Sequence, residues 1–223
     1  MAVLGPWSRI GFLGRLPPEV ADVVAEGGQL TEYPARALTF VGDETVSAGV
    51  AVRGLQRVYL VGPDGRQLTI RYVFSGELLG AIRLPSVHVS IATQALEKAA
   101  VFHFQSGRLE RFAQRYPQLA MALLDEYAER LGRGYRALMV RAFNGVKTRL
   151  AQDLYWRAEA LGVISGANVA INTTQQELAD SIGSVREVVA RALDELERDS
   201  VIKRSRASIV VVDPERLIVE ARS

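Results

Sequence analysis

The stretch Thr173–Glu197, TTQQELADSIGSVREVVARALDELE, constrains this chain more than any other. Its apolar residues fit two short helices joined by a tight turn. Leu178, Ala179 and Ile182 give the first helix a small apolar face. Gly183 then interrupts the pattern, and a residue without Cβ suits a left-handed turn position. In the second helix Val188, Val189, Ala192, Leu193 and Leu196 recur at helical spacing, so that side faces a core. The opposite side carries Arg186, Glu187 and Arg191. Arginine can pair with two acceptors of guanine, and glutamate can accept from the cytosine amine. A helix-turn-helix with this polar face fits a DNA major groove. The alternative is a helical hairpin with a solvated charged face; the glycine turn and the strands that follow favour DNA.

Thr174, Gln176, Glu177 and Leu178, then Gly183, then Arg186-Glu187 with Arg191 resemble the Crp/Fnr superfamily of bacterial transcription regulators. The resemblance implies that Arg186, Glu187 and Arg191 read bases from a recognition helix over 184–197. It places Thr174, Gln175, Gln176 and Ser184 near the DNA backbone. Val185 departs from a position that is often polar in the family. A homodimer and a near-palindromic operator are implied, with half-sites of the TGTGA type as the sharper expectation. RNA polymerase and a small-molecule effector stay open as further partners.

A chain of 223 residues can build two modest cores. The formal charge of +2 gives no large field toward nucleic acid, so DNA affinity has to come from local placement of Arg and Lys. The absence of cysteine excludes disulfides, thiolate catalysis, cysteine-built zinc sites and iron–sulfur clusters held by cysteine. No secretion signal and no apolar run of membrane-spanning length is visible, so a cytoplasmic protein without a membrane partner is expected. No nucleophile–base pair or phosphate loop is present. A cupin-type metalloenzyme wants several converging His and carboxylate ligands, and two histidines are too few. The expectation is a non-enzyme.

The expected fold class is α+β, and the chain divides into three. Residues 1–116 form an antiparallel β-barrel or jelly roll of the cyclic-nucleotide-binding type. Residues 117–144 form a long dimerisation helix with a hinge at Asn144-Gly145, and residues 145–223 a winged helix-turn-helix. In the first part, a helix starts at Pro17-Pro18. Strands are expected at Ala37–Phe40, Val46–Val52, Leu55–Val61, Leu68–Phe74, Val87–Ala92 and Val101–Phe104. Leu68, Ile70, Tyr72 and Phe74 form the apolar side of theirs, and Gly62-Pro63-Asp64-Gly65 is a hairpin turn. Ser106 caps a short helix that follows.

Gly76-Glu77-Leu78-Leu79-Gly80, with Arg83 close by, reads as a sharp corner whose backbone N–H groups face an anion. It resembles the phosphate-binding corner of cyclic-nucleotide-binding domains. Yet Ala81 stands where cAMP-binding members carry a ribose-binding Glu, and Arg83 lacks the hydroxyl neighbour that pairs with the cyclic phosphate. The expectation is the fold without cAMP, its effector unknown. Haem held by an axial histidine is a minor alternative, with His88 ahead of His103.

In the long helix Leu124, Tyr127, Leu131 and Leu138 suggest a two-fold seam. The next helix, from Val146 to Leu161, turns Leu150 and Leu154 inward and Arg149, Gln152 and Asp153 outward. After the helix-turn-helix, a ribbon bears Lys203, Arg204 and Arg206 at its tip, a basic wing for phosphates.

Overall fold

The computed structural model describes residues 6–41, 47–80, 90–161, 169–205 and 208–222. Contacts divide the chain into two compact units. One joins Met1–Leu60 to Arg71–Gly134, and the other joins Val61–Ile70 to Tyr135–Ser223.

The first unit opens with a 3-10 turn, Pro6–Arg9, and the helices α1 (Gly11–Gly14) and α2 (Pro18–Ala25). Proline at the start of α2 lacks only an N–H that a helix end leaves unpaired. Eight strands follow: β1 (Gln29–Tyr33), β2 (Leu38–Val41), β3 (Ser47–Arg53), β4 (Gln56–Val61), β5 (Gln67–Val73), β6 (Leu78–Gly80), β7 (Ser90–Ala95) and β8 (Ala99–Gln105). Among the described residues they do not close into a barrel. They form two four-stranded sheets, β1-β8-β3-β6 and β2-β7-β4-β5. This is the jelly-roll half of the expectation: consecutive strands change sheet, except β4 and β5, which are neighbours in one. Strands β1 and β6 lie outside the expected set; both are short, and β1 is almost wholly exposed, so it lacks an apolar alternation to read.

The expected apolar side of β5 is reversed. Thr69 and Val73 are buried, while Leu68, Ile70 and Tyr72 are only half-buried. The inner face also accepts Arg71, because Glu77 neutralises its guanidinium at 3.2 Å. Helix α3 (Ser106–Ala113) takes Gln105, not Ser106, as its N-cap, and no side chain caps it. The core of this unit gathers Phe12, Val20, Val24, Val50, Leu78 and Phe102.

Helix α4 (Pro117–Phe143) has the expected bounds. Leu119 and Leu123 enter the core just described, and Tyr127 packs against it. Tyr127, named in the expected seam, is half-buried against that core. Leu124, Leu131 and Leu138 are exposed, and so are Met121, Ala128, Tyr135 and Ala142. These seven alternate at spacings of three and four, a heptad stripe along one side of one helix.

The second unit is built from α5 (Val146–Ala160), β9 (Val169–Asn172), α6 (Gln175–Ile182), α7 (Arg186–Arg198), β10 (Ile202–Arg204), β11 (Ser208–Val211) and α8 (Pro214–Glu220). The three strands make one antiparallel sheet, ordered β10-β11-β9. Leu150, Leu154, Leu178, Val189, Leu193 and Leu196 anchor its core. No helix of the described residues is long and apolar enough to cross a membrane.

Candidate nucleic-acid interface

Helix α6 begins with a reciprocal cap. Thr174 Oγ1 accepts from the Glu177 N–H at 3.1 Å, and Glu177 Oε2 accepts from the Thr174 N–H at 2.9 Å. The T-x-x-E spacing is the sequence signature of this capping box. The helix ends at Gly183, whose φ of +63° is left-handed, as its lack of a Cβ permits. An added Cβ there would lie 2.6 Å from Leu68 Cδ1, a residue of the same compact unit.

A buried ion pair holds this motif from below. Arg157 donates through Nε to Asp153 at 2.7 Å and through Nη2 to Ser181 Oγ at 2.8 Å. Both charged side chains are 5% exposed. Asp153 is thus interior, not on the outer face of α5 as its charge suggests. A charge can be interior when it is paired and hydrogen-bonded, and the D-x-x-x-R spacing, one helical turn, is the readable signal. Arg149 Nη1 adds a bond to the Ile182 carbonyl at 3.1 Å, one residue before the turn.

Helix α7 turns Val189, Leu193 and Leu196 into the core. Arg186, Glu187 and Arg191 stand exposed on the side away from it. Arg186 Nε reaches Gln175 Oε1 at 3.4 Å, which ties the tip of α7 to α6. Gln176 is exposed and donates to Asp180 at 2.8 Å, while Ser184 is half-buried in the turn. The N-cap of α7 is Val185, extended in backbone and with no capping side chain. By contrast, Thr174 caps α6 and Asp213 caps α8.

In the wing, Lys203 is exposed but Arg204 is engaged. Its main-chain N–H donates to Glu197 at 2.8 Å, and its guanidinium reaches Glu197 at 2.6 Å and Asp194 at 2.7 Å. The Arg204 N–H and guanidinium together hold the Glu197 carboxyl below the usual carboxylate range. Arg206 lies outside the described residues.

The glycine corner of the first unit is held by bonds within the chain. The Gly76 N–H donates to the Ala51 carbonyl at 2.7 Å and the Glu77 N–H to Phe74 at 3.1 Å. These two N–H groups are therefore satisfied by main-chain carbonyls. The Glu77 carboxylate accepts from Arg71 and from Arg133 of α4. Arg71 also donates to the Leu78 carbonyl at 3.0 Å, and Arg130 binds the carbonyls of Leu78 and Gly80 and the buried Glu126. Burial and the neighbouring Arg130 pull the Arg71 guanidinium down to about 10. Arg83 and His88 lie outside the described residues. His103 Nε2 bonds the Tyr33 hydroxyl at 2.8 Å, and burial lowers its pKa. Among the described residues no group of three or more His, Asp or Glu side chains could hold a metal.

Residues 148–219 match the Crp-like helix-turn-helix domain. The chain is 24% identical over 210 residues to the transcriptional activatory protein AadR of Rhodopseudomonas palustris, covering 93% of this chain and 87% of that one. It is 26% identical over 220 residues to a CRP-like cAMP-activated global transcriptional regulator of Mycobacterium tuberculosis, covering 96% and 98%. Its fold is that of a solved Crp/Fnr family regulator from Eubacterium rectale, with a TM-score of 0.80 at 17% identity over 94% and 97% of the two chains. A solved CRP/FNR family regulator from Thermus thermophilus gives 0.73 at 24% identity over 87% and 99%. Its C-terminal unit carries a Crp-like helix-turn-helix domain, and over most of its length the chain is similar to transcription regulators of the Crp/Fnr type.

Proposed function

We propose that the protein is a homodimeric, sequence-specific transcription regulator that binds its operator without cAMP. The observation that carries the reading is the presentation of Arg186, Glu187 and Arg191 on the open side of a helix whose other side is sealed in a core. Arg186 and Arg191 take guanines and Glu187 a cytosine amine, in half-sites of the TGTGA type. Thr174, Gln175, Gln176, Ser184 and Lys203 approach the backbone. The exposed heptad stripe of α4 is the dimer seam. Two-fold symmetry then sets half-sites about one helical turn apart. The break at Asn144-Gly145, between α4 and α5, is the hinge that separates the dimerisation helix (117–144) from the DNA-binding domain (145–223).

The Mycobacterium tuberculosis relative is cAMP-activated by name. In this chain Glu77 already binds the arginines of the corner, and Ala81 lacks the carboxylate that would hold a ribose. A buried phosphate without its own cation is poorly held, which supports independence from cAMP.

Selection of binding sites from random duplex DNA, with and without cAMP, tests the reading. The expected result is a near-palindromic consensus that is the same in both arms. Arg191→Ala should weaken the consensus by about 1–3 kcal/mol and relax one base position. Equal weakening on every sequence would overturn the assignment of Arg191.

A further inference from the structure

Val185 is anomalous. It stands at the N-cap of α7, where Ser, Thr, Asp and Asn are preferred because they accept the N–H groups that the helix end leaves over. It makes no such bond, and its extended backbone precedes the turn of Arg186 and Glu187. It is 48% exposed, more than any other large apolar residue described between β9 and β11. The other two helices of this unit that start after an extended residue with a polar side chain, α6 and α8, are capped by it. A local rule broken at one helix end, at the tip that meets the ligand, marks a functional position.

We propose that Val185 is a specificity residue that reads the C5-methyl group of a thymine. The inference rests on the base-reading assignment of α7 and adds to it. In the major groove thymine alone among the four bases carries a methyl, and an apolar side chain recognises it by contact and by excluding water. Val185 directly precedes the two residues that reach base edges, so it enters the same groove at the adjoining base step. Its side chain can neither accept a hydrogen bond from an N–H nor donate one to a phosphate. A polar residue at this place anchors the backbone; valine exchanges that anchor for discrimination at one base pair.

The test uses the full-length protein and the operator obtained by selection. Each thymine of one half-site is replaced in turn by deoxyuridine, which removes only the methyl. Wild type should lose about fourfold in affinity at one thymine, the effect of about 0.8 kcal/mol for one buried methyl-sized group. Val185→Ala should bind dT and dU operators alike at that position and be unchanged at the others. Val185→Thr keeps a γ-methyl and should retain the dU penalty, which separates reading from folding. A flat dU scan in wild type, a half-site with no preferred thymine, or a dU penalty that persists in Val185→Ala each overturns the inference while base reading stands. If selection yields no consensus, base reading itself fails and this inference with it.

Discussion

Arg157 and Asp153 carry opposite charges inside the helix-turn-helix core, and the two positions are worth most as a pair. Removing one partner leaves a charge in a place without water to solvate it, which costs about 3–5 kcal/mol. Arg157→Met and Asp153→Leu should each lower stability in urea by that order, while the double replacement recovers most of the loss. Single variants as stable as wild type would show that water reaches the site. The pair also marks the limit of reading single residues. Gly183 was legible because only its chemistry permits a left-handed turn, and Thr174 with Glu177 because their spacing is a motif. Asp153 was not, because a charge on a helix is normally solvated, and only the partner four residues on makes it interior. Glu126 repeats the case: it is 1% exposed, paired with Arg130 on the next turn.

Elements were legible where the period was long and uninterrupted. Helix α4 kept its bounds over 27 residues, since an amphipathic pattern of that length leaves little room for a boundary error. What the pattern left open was which apolar side meets which partner, because the helix has two. One, with Leu119, Leu123 and Tyr127, seals the first unit. The other, with Met121, Leu124, Leu131, Tyr135 and Leu138, is exposed and has no cover among the described residues. Strand β5 misled for a related reason: alternation identifies two faces but not which is inner, and the Arg71–Glu77 pair decided it. The two sides of α4 make separable predictions. Leu131→Glu with Leu138→Glu should give a folded monomer by sedimentation at micromolar concentration, with its melting curve otherwise intact. Tyr127→Ala should lower the melting temperature and leave the dimer in place. A dimer that survives the two glutamates would move the seam elsewhere.

For the molecule as a whole the question is how a chain of net charge +2 holds a polyanion. Bulk attraction is too weak, so the binding constant must rest on a few placed cations, and in the proposed dimer each of them counts twice. The salt dependence of binding measures that number directly, because each neutralised phosphate on duplex DNA adds about 0.9 to the slope of log K against log salt. Lys203 is exposed at the wing and, among the described residues, forms no ion pair, so it is available to a phosphate. Arg204, its neighbour, is held by Glu197 and Asp194 and stiffens the join between α7 and β10. Lys203→Ala should therefore flatten the slope by about 1.8 in the dimer, one phosphate lost per subunit. Arg204→Ala should change the slope far less and register as lost stability instead. Equal flattening by the two would mean that DNA draws Arg204 away from its carboxylates, so that the wing rearranges as the complex forms.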